Sequence, residues 1–211
     1  MKQLIFPLIA IMYLTSCETD ATNNDAQVTD TQEVQEPKGK EYPVNIETST
    51  ITFTGSKLTG THRGIFKLKE GSLMANTENI TGGTFLIDIA SMKNDDPDTN
   101  GSSKLIGHLL SPDFFNVEEF PTAKFEITKS EKLVNDNVNT HKISGNLTLR
   151  DSTKNVTFNA RVGIDEIGVS AFATFTIDRT LWGLFYGNDK SLGDKFIYPE
   201  VKIDMNLVPK K

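Results

Sequence analysis

Cysteine is nearly absent from this 211-residue chain. Cys17 is the only one, which excludes an intramolecular disulfide and a zinc site built on cysteines. Histidine is scarce as well. His62, His108 and His141 lie on separate segments with no short ligand spacing, so the residues give no metal site. Asp96-Pro97-Asp98-Thr99-Asn100-Gly101 copies the opening of a calcium loop, but Gly107 stands where the bidentate glutamate is needed. A basic surplus is also lacking. The net charge is −6, whereas gripping phosphates takes a basic face, so nucleic acid is not an expected partner. There is no Gly-x-Ser-x-Gly element and no glycine-rich phosphate loop, so no catalytic residue is assigned and an enzyme is not expected. No apolar run reaches the roughly 20 residues of a membrane-spanning helix. Tryptophan (one) and tyrosine (four) are outnumbered by thirteen phenylalanines, twelve of them after residue 50. That balance indicates a dry interior rather than a hydrogen-bonding aromatic interface.

The longest apolar run, Leu4 to Leu14, has 11 residues behind a single Lys2, the pattern of a secretory leader. Leu14-Thr15-Ser16-Cys17 resembles the bacterial lipobox. The resemblance implies a leader over 1–16, cleavage before Cys17 and a lipid on that cysteine. It places the mature chain in the bacterial cell envelope, anchored to a membrane and facing the periplasm or the cell surface. Several acyl chains hold far more firmly than the single chain that binds only marginally. Residues 17–40 carry six acidic side chains, two lysines and no aromatics. So polar a stretch buries too little to offset its ordering entropy, and it is expected as a disordered acidic tether.

Residues 41–211 read as one domain dominated by a period of two. Ile51 and Phe53 share a face. So do Phe66 and Leu68; Phe85, Ile87 and Ile89; Ala123, Phe125 and Ile127; and Ile143, Gly145, Leu147 and Leu149. The longest alternation is Val156, Phe158, Ala160, Val162 and Ile164. Asp165 to Gly168 signals a tight hairpin. Val169 to Ile177 and Val201 to Leu207 complete about eight strands. One segment differs. Leu105, Ile106, Leu109 and Leu110 follow a helical period, and Ser111-Pro112 ends it, so a short helical segment is expected at about 102–115. Short connections favour antiparallel pairing, and one helix cannot cover a parallel sheet. The expectation is an all-β, about eight-stranded antiparallel barrel. On composition alone a packed sandwich is the alternative. Inward small residues such as Ala123, Gly145 and Ala160, with either Ala171 and Ala173 or Thr174 and Thr176, leave room in the interior.

Several motifs, in order, then resemble the YceI-like family. They are Val44-Asn45-Ile46-Glu47-Thr48-Ser49-Thr50-Ile51-Thr52-Phe53; Gly64-Ile65-Phe66; His108-Leu109-Leu110-Ser111-Pro112-Asp113-Phe114-Phe115 with Phe120-Pro121; Gly145 to Lys154; Ile177-Asp178-Arg179 with Trp182-Gly183; and Gly193-Asp194-Lys195-Phe196. Asn45 and Thr48-Ser49 stand where the family often has Asp and His-Ser, and Ser103-Lys104 replaces an Arg-Asp pair. The resemblance implies a lipocalin-like barrel that binds a polyisoprenoid, quinone, fatty acid or fatty amide. No further cofactor follows from it. Family members often pair as homodimers. The expected apolar lining is Phe53, Phe66, Phe85, Leu109, Phe114, Phe115, Phe125, Phe158, Phe172 (or Phe175 on the same strand) and Trp182. Leu109, Phe114 and Phe115 would close the barrel. His108 would sit near the mouth and donate to a head group, or else bond a carbonyl of its own domain. Arg179 would hold a phosphate bidentately or stack on Trp182, or else pair with Asp178 or Asp194. The implied role is transport or storage of an amphiphile. A stress-response or membrane-redox interaction protein with a solid barrel is the other reading.

Overall fold

The computed structural model of the protein describes residues 25–96 and 102–211. The leader, Cys17 and residues 97–101 of the calcium-like loop lie outside the described residues. Ten strands form one sheet: β1 (Gln27–Thr29), β2 (Lys40–Pro43), β3 (Thr50–Lys57), β4 (Gly60–Ala75), β5 (Ile80–Asn94), β6 (Thr122–Lys132), β7 (His141–Leu149), β8 (Ser152–Ile164), β9 (Val169–Asp178) and β10 (Ile197–Leu207). Each strand from β3 to β10 pairs antiparallel with the next, and β10 returns to β3. The result is a closed, eight-stranded, up-and-down barrel. Closure removes the sheet edges that an open all-β layer must protect.

The two ends of the barrel differ. Leu73, Ala75, Ile80, Ile143, Ala160, Val169 and Leu207 fill the end where β4, β6 and β8 finish, each at most 4% exposed. At the other end the chain makes its long excursions. The helix α1 (Ser102–Leu110) lies between β5 and β6, and two 3-10 turns, Arg179–Trp182 and Lys190–Lys195, lie between β9 and β10. The helix stops at Leu110 rather than near 115. Pro112 has no N–H to continue it, and the chain folds back through bonds from Phe115 N to Leu109 O (3.0 Å) and Val117 N to Leu110 O (3.0 Å).

Three inward glycines do not leave space; they seat phenylalanine rings. Phe53 lies opposite Gly64, and Phe85 opposite Gly71. A Cβ on Gly145 would lie 2.3 Å from the Phe125 ring, and one on Gly64 would lie 2.4 Å from the Phe53 ring. The expectation that Gly145 opens the interior is therefore corrected: a ring already occupies that volume.

Residues 25–40 also depart from expectation. They do not run free but cross the outer wall as a strap. β1 pairs with β8 through Gln27–Thr157, Val28–Val156 and Thr29–Asn155. It fills a gap, because β8 and β9 pair only over Arg161–Ile164 and Val169–Phe172. Ala26 and Val28 point in and pack on the core. Further along, Asn146 pairs with the main chain of Gln32 as a strand would, accepting from its N (3.0 Å) and donating to its O (2.7 Å). Buried Asn155 supports Asn146 and Thr128 beneath the strap. The sequence argument missed this because three apolar side chains (Ala26, Val28 and Val34) in 16 residues give no sustained period, and the bonds come from side chains more than 100 positions away.

Candidate functional site

Alternation on the strands and the fold-back after α1 together enclose a cavity at the open end of the barrel. Its volume is about 170 Å³. The wall is built from paired rings. Phe53 and Phe66 lie 5.2 Å apart, and Phe115 meets Phe66 edge-on at 5.7 Å. On the opposite side Phe158 and Phe175 stack at 4.0 Å across the gap between β8 and β9, with Phe125 at 5.9 Å from Phe158. Ile51, Phe85, Ile87, Ile89, Ala123, Leu147, Leu149, Val156, Ile177, Val201, Ile203 and Met205 complete the barrel wall. Leu109, Phe114, Phe115 and Leu184 lie over it.

The expected lining residues therefore divide. Phe53, Phe66, Phe85, Leu109, Phe114, Phe115, Phe125 and Phe158 all face this cavity. Phe172 does not. It points outward, 48% exposed, and Phe175 takes the inward position. The parity of the strand explains it: Val169, Ala171, Ala173, Phe175 and Ile177 form one face, and Phe172 shares the other with Thr174 and Thr176. Trp182 is buried at 1% exposure, but it is outside the lining set. Its Nε1 donates to Leu147 O (2.9 Å), which fastens the first 3-10 turn to β7. Phe175 had been offered only as the alternative to Phe172, and Val156 and the aliphatic residues of β7 and β10 were missed as lining. They share the inward phase of their strands, and that phase was the signal available.

The two polar candidates also separate. Arg179 borders the cavity, yet its guanidinium is spent on the main chain. It donates to the carbonyls of Tyr198 (3.4 Å), Leu184, Tyr186 (2.9 Å) and Ile197 (3.1 Å). Four of its five donors are thus committed, and the role expected for a phosphate is corrected to one of organising the 179–198 segment. Burial pushes its pKa down and Asp178 acts the other way. Gly183 ends the turn with φ 78°, a left-handed geometry that favours glycine. His108 lies at the rim, beside rather than within the cavity lining. Its Nε2 is 3.1 Å from Asp113 Oδ2, and its ring meets Phe114 (5.3 Å) and Tyr186 (4.5 Å) edge-on. Arg150 Nη1 donates to Phe114 O (3.1 Å) and ties the roof to the β7–β8 hairpin.

The YceI-like domain matches residues 42–208. The chain belongs to the YceI-like domain family. No curated relative matches it in sequence. Among solved structures, this YceI-like chain is similar to BcnA of Burkholderia cenocepacia (TM-score 0.64, 17% identity, 78% of this chain and 98% of that one). It is similar to a polyisoprenoid binding domain from Saccharophagus degradans implicated in plant cell wall breakdown (0.58, 15%, 79% and 95%). It is also similar to the YceI protein of Campylobacter jejuni (0.51, 16%, 96% and 99%). At these identities the likeness establishes the fold.

Proposed function

We propose that this YceI-like protein is a binding protein that holds the apolar chain of an isoprenoid, quinone-like or fatty amphiphile in the open half of its barrel. One observation carries the reading: the barrel is solid at one end and hollow at the other, and aliphatic and phenylalanine side chains line the hollow. A cavity of comparable size, on the order of 150 Å³ and apolar, stays dry and takes a small hydrocarbon. The present one suits the leading part of a chain, with the remainder passing the His108 rim. Each buried methylene contributes about 0.8 kcal/mol, so affinity grows without polar contacts. The polyisoprenoid binding named for the Saccharophagus degradans domain supports this ligand class. Among the lining residues Arg179 alone is ionisable and no hydroxyl or thiol nucleophile occurs, which supports a carrier rather than a catalyst.

The proposal extends to the cell. The lipobox-like Leu14–Cys17 supports a lipid anchor on Cys17 in the bacterial envelope and a role in transport or storage of the amphiphile. Native mass spectrometry of protein purified without harsh detergent tests the binding reading. A co-purifying or titratable amphiphile at one per chain is expected. A barrel that stays empty with long-chain isoprenoids, quinones and fatty acids alike defeats it.

A further inference from the structure

Exposed large apolar side chains gather at the open rim. Leu181, Phe185 (62% exposed), Tyr186 and Leu192 all lie in the segment between β9 and β10. Leu58 adds to them from the β3–β4 hairpin, because Lys57 pairs with Ile197 at the start of β10. This patch is continuous with the cavity roof. The Tyr186 ring lies 5.2 Å from that of Phe114, and Leu184, next to Phe185, faces the cavity. A chain leaving the cavity between Phe114 and Leu184 would emerge onto apolar surface. Clustered exposure of this kind marks an interaction surface.

Two features indicate its occupant. The first is where the N-terminal strap enters. Asp25 bridges to Thr176, and Ala26 N donates to Thr176 O (2.9 Å), two residues before β9 ends at this same rim. From Asp25 back to Cys17 there are eight Cα-to-Cα steps of at most ~3.6 Å, roughly 29 Å in all. An acyl anchor on Cys17 therefore keeps the open rim close to the bilayer. The second is charge. Lys190 and Lys195 alternate with Asp189 and Asp194 in the exposed turn, so it presents no net charge to anionic head groups.

We propose that the open rim docks on the bilayer through Leu58, Leu181, Phe185 and Leu192, so that an apolar chain passes between membrane and cavity without crossing water. The inference rests on the binding reading above and on the anchored Cys17. Docking is apolar, so it depends little on salt. It is weak in isolation and made effective by the high local concentration that the tether imposes.

The test uses full-length protein matured in membranes, with acylation of Cys17 checked first by mass spectrometry. The probe is cis-parinaric acid, offered either in solution or from phosphatidylcholine vesicles. The double variant Leu181→Ser/Phe185→Ser is compared with Val134→Ser/Ile167→Ser, which alters exposed apolar residues at the opposite end. The rim variant should keep the wild-type affinity for probe in solution but accept it from vesicles at least tenfold more slowly. The control variant should match wild type, and raising salt from 0.05 to 0.5 M should change wild-type transfer less than twofold. Transfer by the rim variant within twofold of wild type overturns the docking inference. So does a salt dependence above tenfold, or a rim-dependent dimer that transfers no faster from vesicles. If wild type binds no probe even in solution, the binding reading itself fails, and the two failures are told apart.

Discussion

Ala123 offers the sharpest test of whether the barrel is hollow where the ligand is placed. It is 2% exposed, sits on β6 opposite Ile87 and borders the cavity. Ala123→Leu adds three carbons to that space. In a hollow they gain about 0.8 kcal/mol each, roughly 2.4 kcal/mol in all. Ordering the new side chain costs about 0.5–1 kcal/mol, so the empty protein should gain about 1–2 kcal/mol. The same carbons displace about three methylenes of ligand, which weakens binding by a similar 2.4 kcal/mol, on the order of 50-fold. Gly145→Ala is the counterpart. Its Cβ would lie 2.3 Å from the Phe125 ring and 2.8 Å from Glu126 O, so it should destabilise by about 1–3 kcal/mol through overpacking. Urea denaturation of the empty proteins measures the first effect. Titration with a series of alkyl amphiphiles measures the second, and wild-type affinity should rise about fourfold per methylene until the cavity fills. If Ala123→Leu destabilises by more than 1 kcal/mol and leaves affinity unchanged, the interior is packed and the carrier reading loses its basis.

Other perturbations follow from the same geometry. Arg179→Gln strands carbonyls of Leu184, Tyr186, Ile197 and Tyr198, and should cost about 3 kcal/mol or more in chemical denaturation. The bound amphiphile's head-group preference should not change. Asn146→Ala removes both bonds to Gln32, so hydrogen exchange should rise across 25–40 by the equivalent of about 1–3 kcal/mol while the barrel amides stay protected. His141 is 4% exposed, and burial, with Lys132 acting the same way, holds its pKa below the ordinary value. The folded protein thus keeps it neutral while the unfolded chain takes a proton near pH 6.5. Its contribution is complete above about pH 6.5 and is lost as the pH falls from there through the depressed folded value. The drop in Tm from pH 7.5 to 5.5 should therefore be smaller in His141→Gln than in wild type.

Strand alternation was legible because a one-residue slip would turn every inward side chain outward, so a buried face enforces its period. Val156 to Ile164 and Phe85 to Ile89 show it, whereas β9 carries phenylalanine on both faces, which left its phase open until the structure placed Phe175 inward. The end of the helix was legible because Pro112, placed after a helical pattern, lacks the N–H that would continue it. The strap was not. Asp25 to Lys40 is polar enough to read as free chain, and it is held by Asn146, Asn155 and the open seam of β8.

Local periodicity and composition thus determined the class of fold, the helix α1 and the apolar character of the interior, since each depends on residues near in sequence. Tertiary structure alone decided which end is hollow, that Gly64, Gly71 and Gly145 seat rings instead of leaving voids, and that Arg179 serves carbonyls instead of a head group. Those outcomes depend on which side chains meet across the barrel. Such meetings are set by strand register and by the path of the 179–198 segment, and neither is written in any one stretch of the chain.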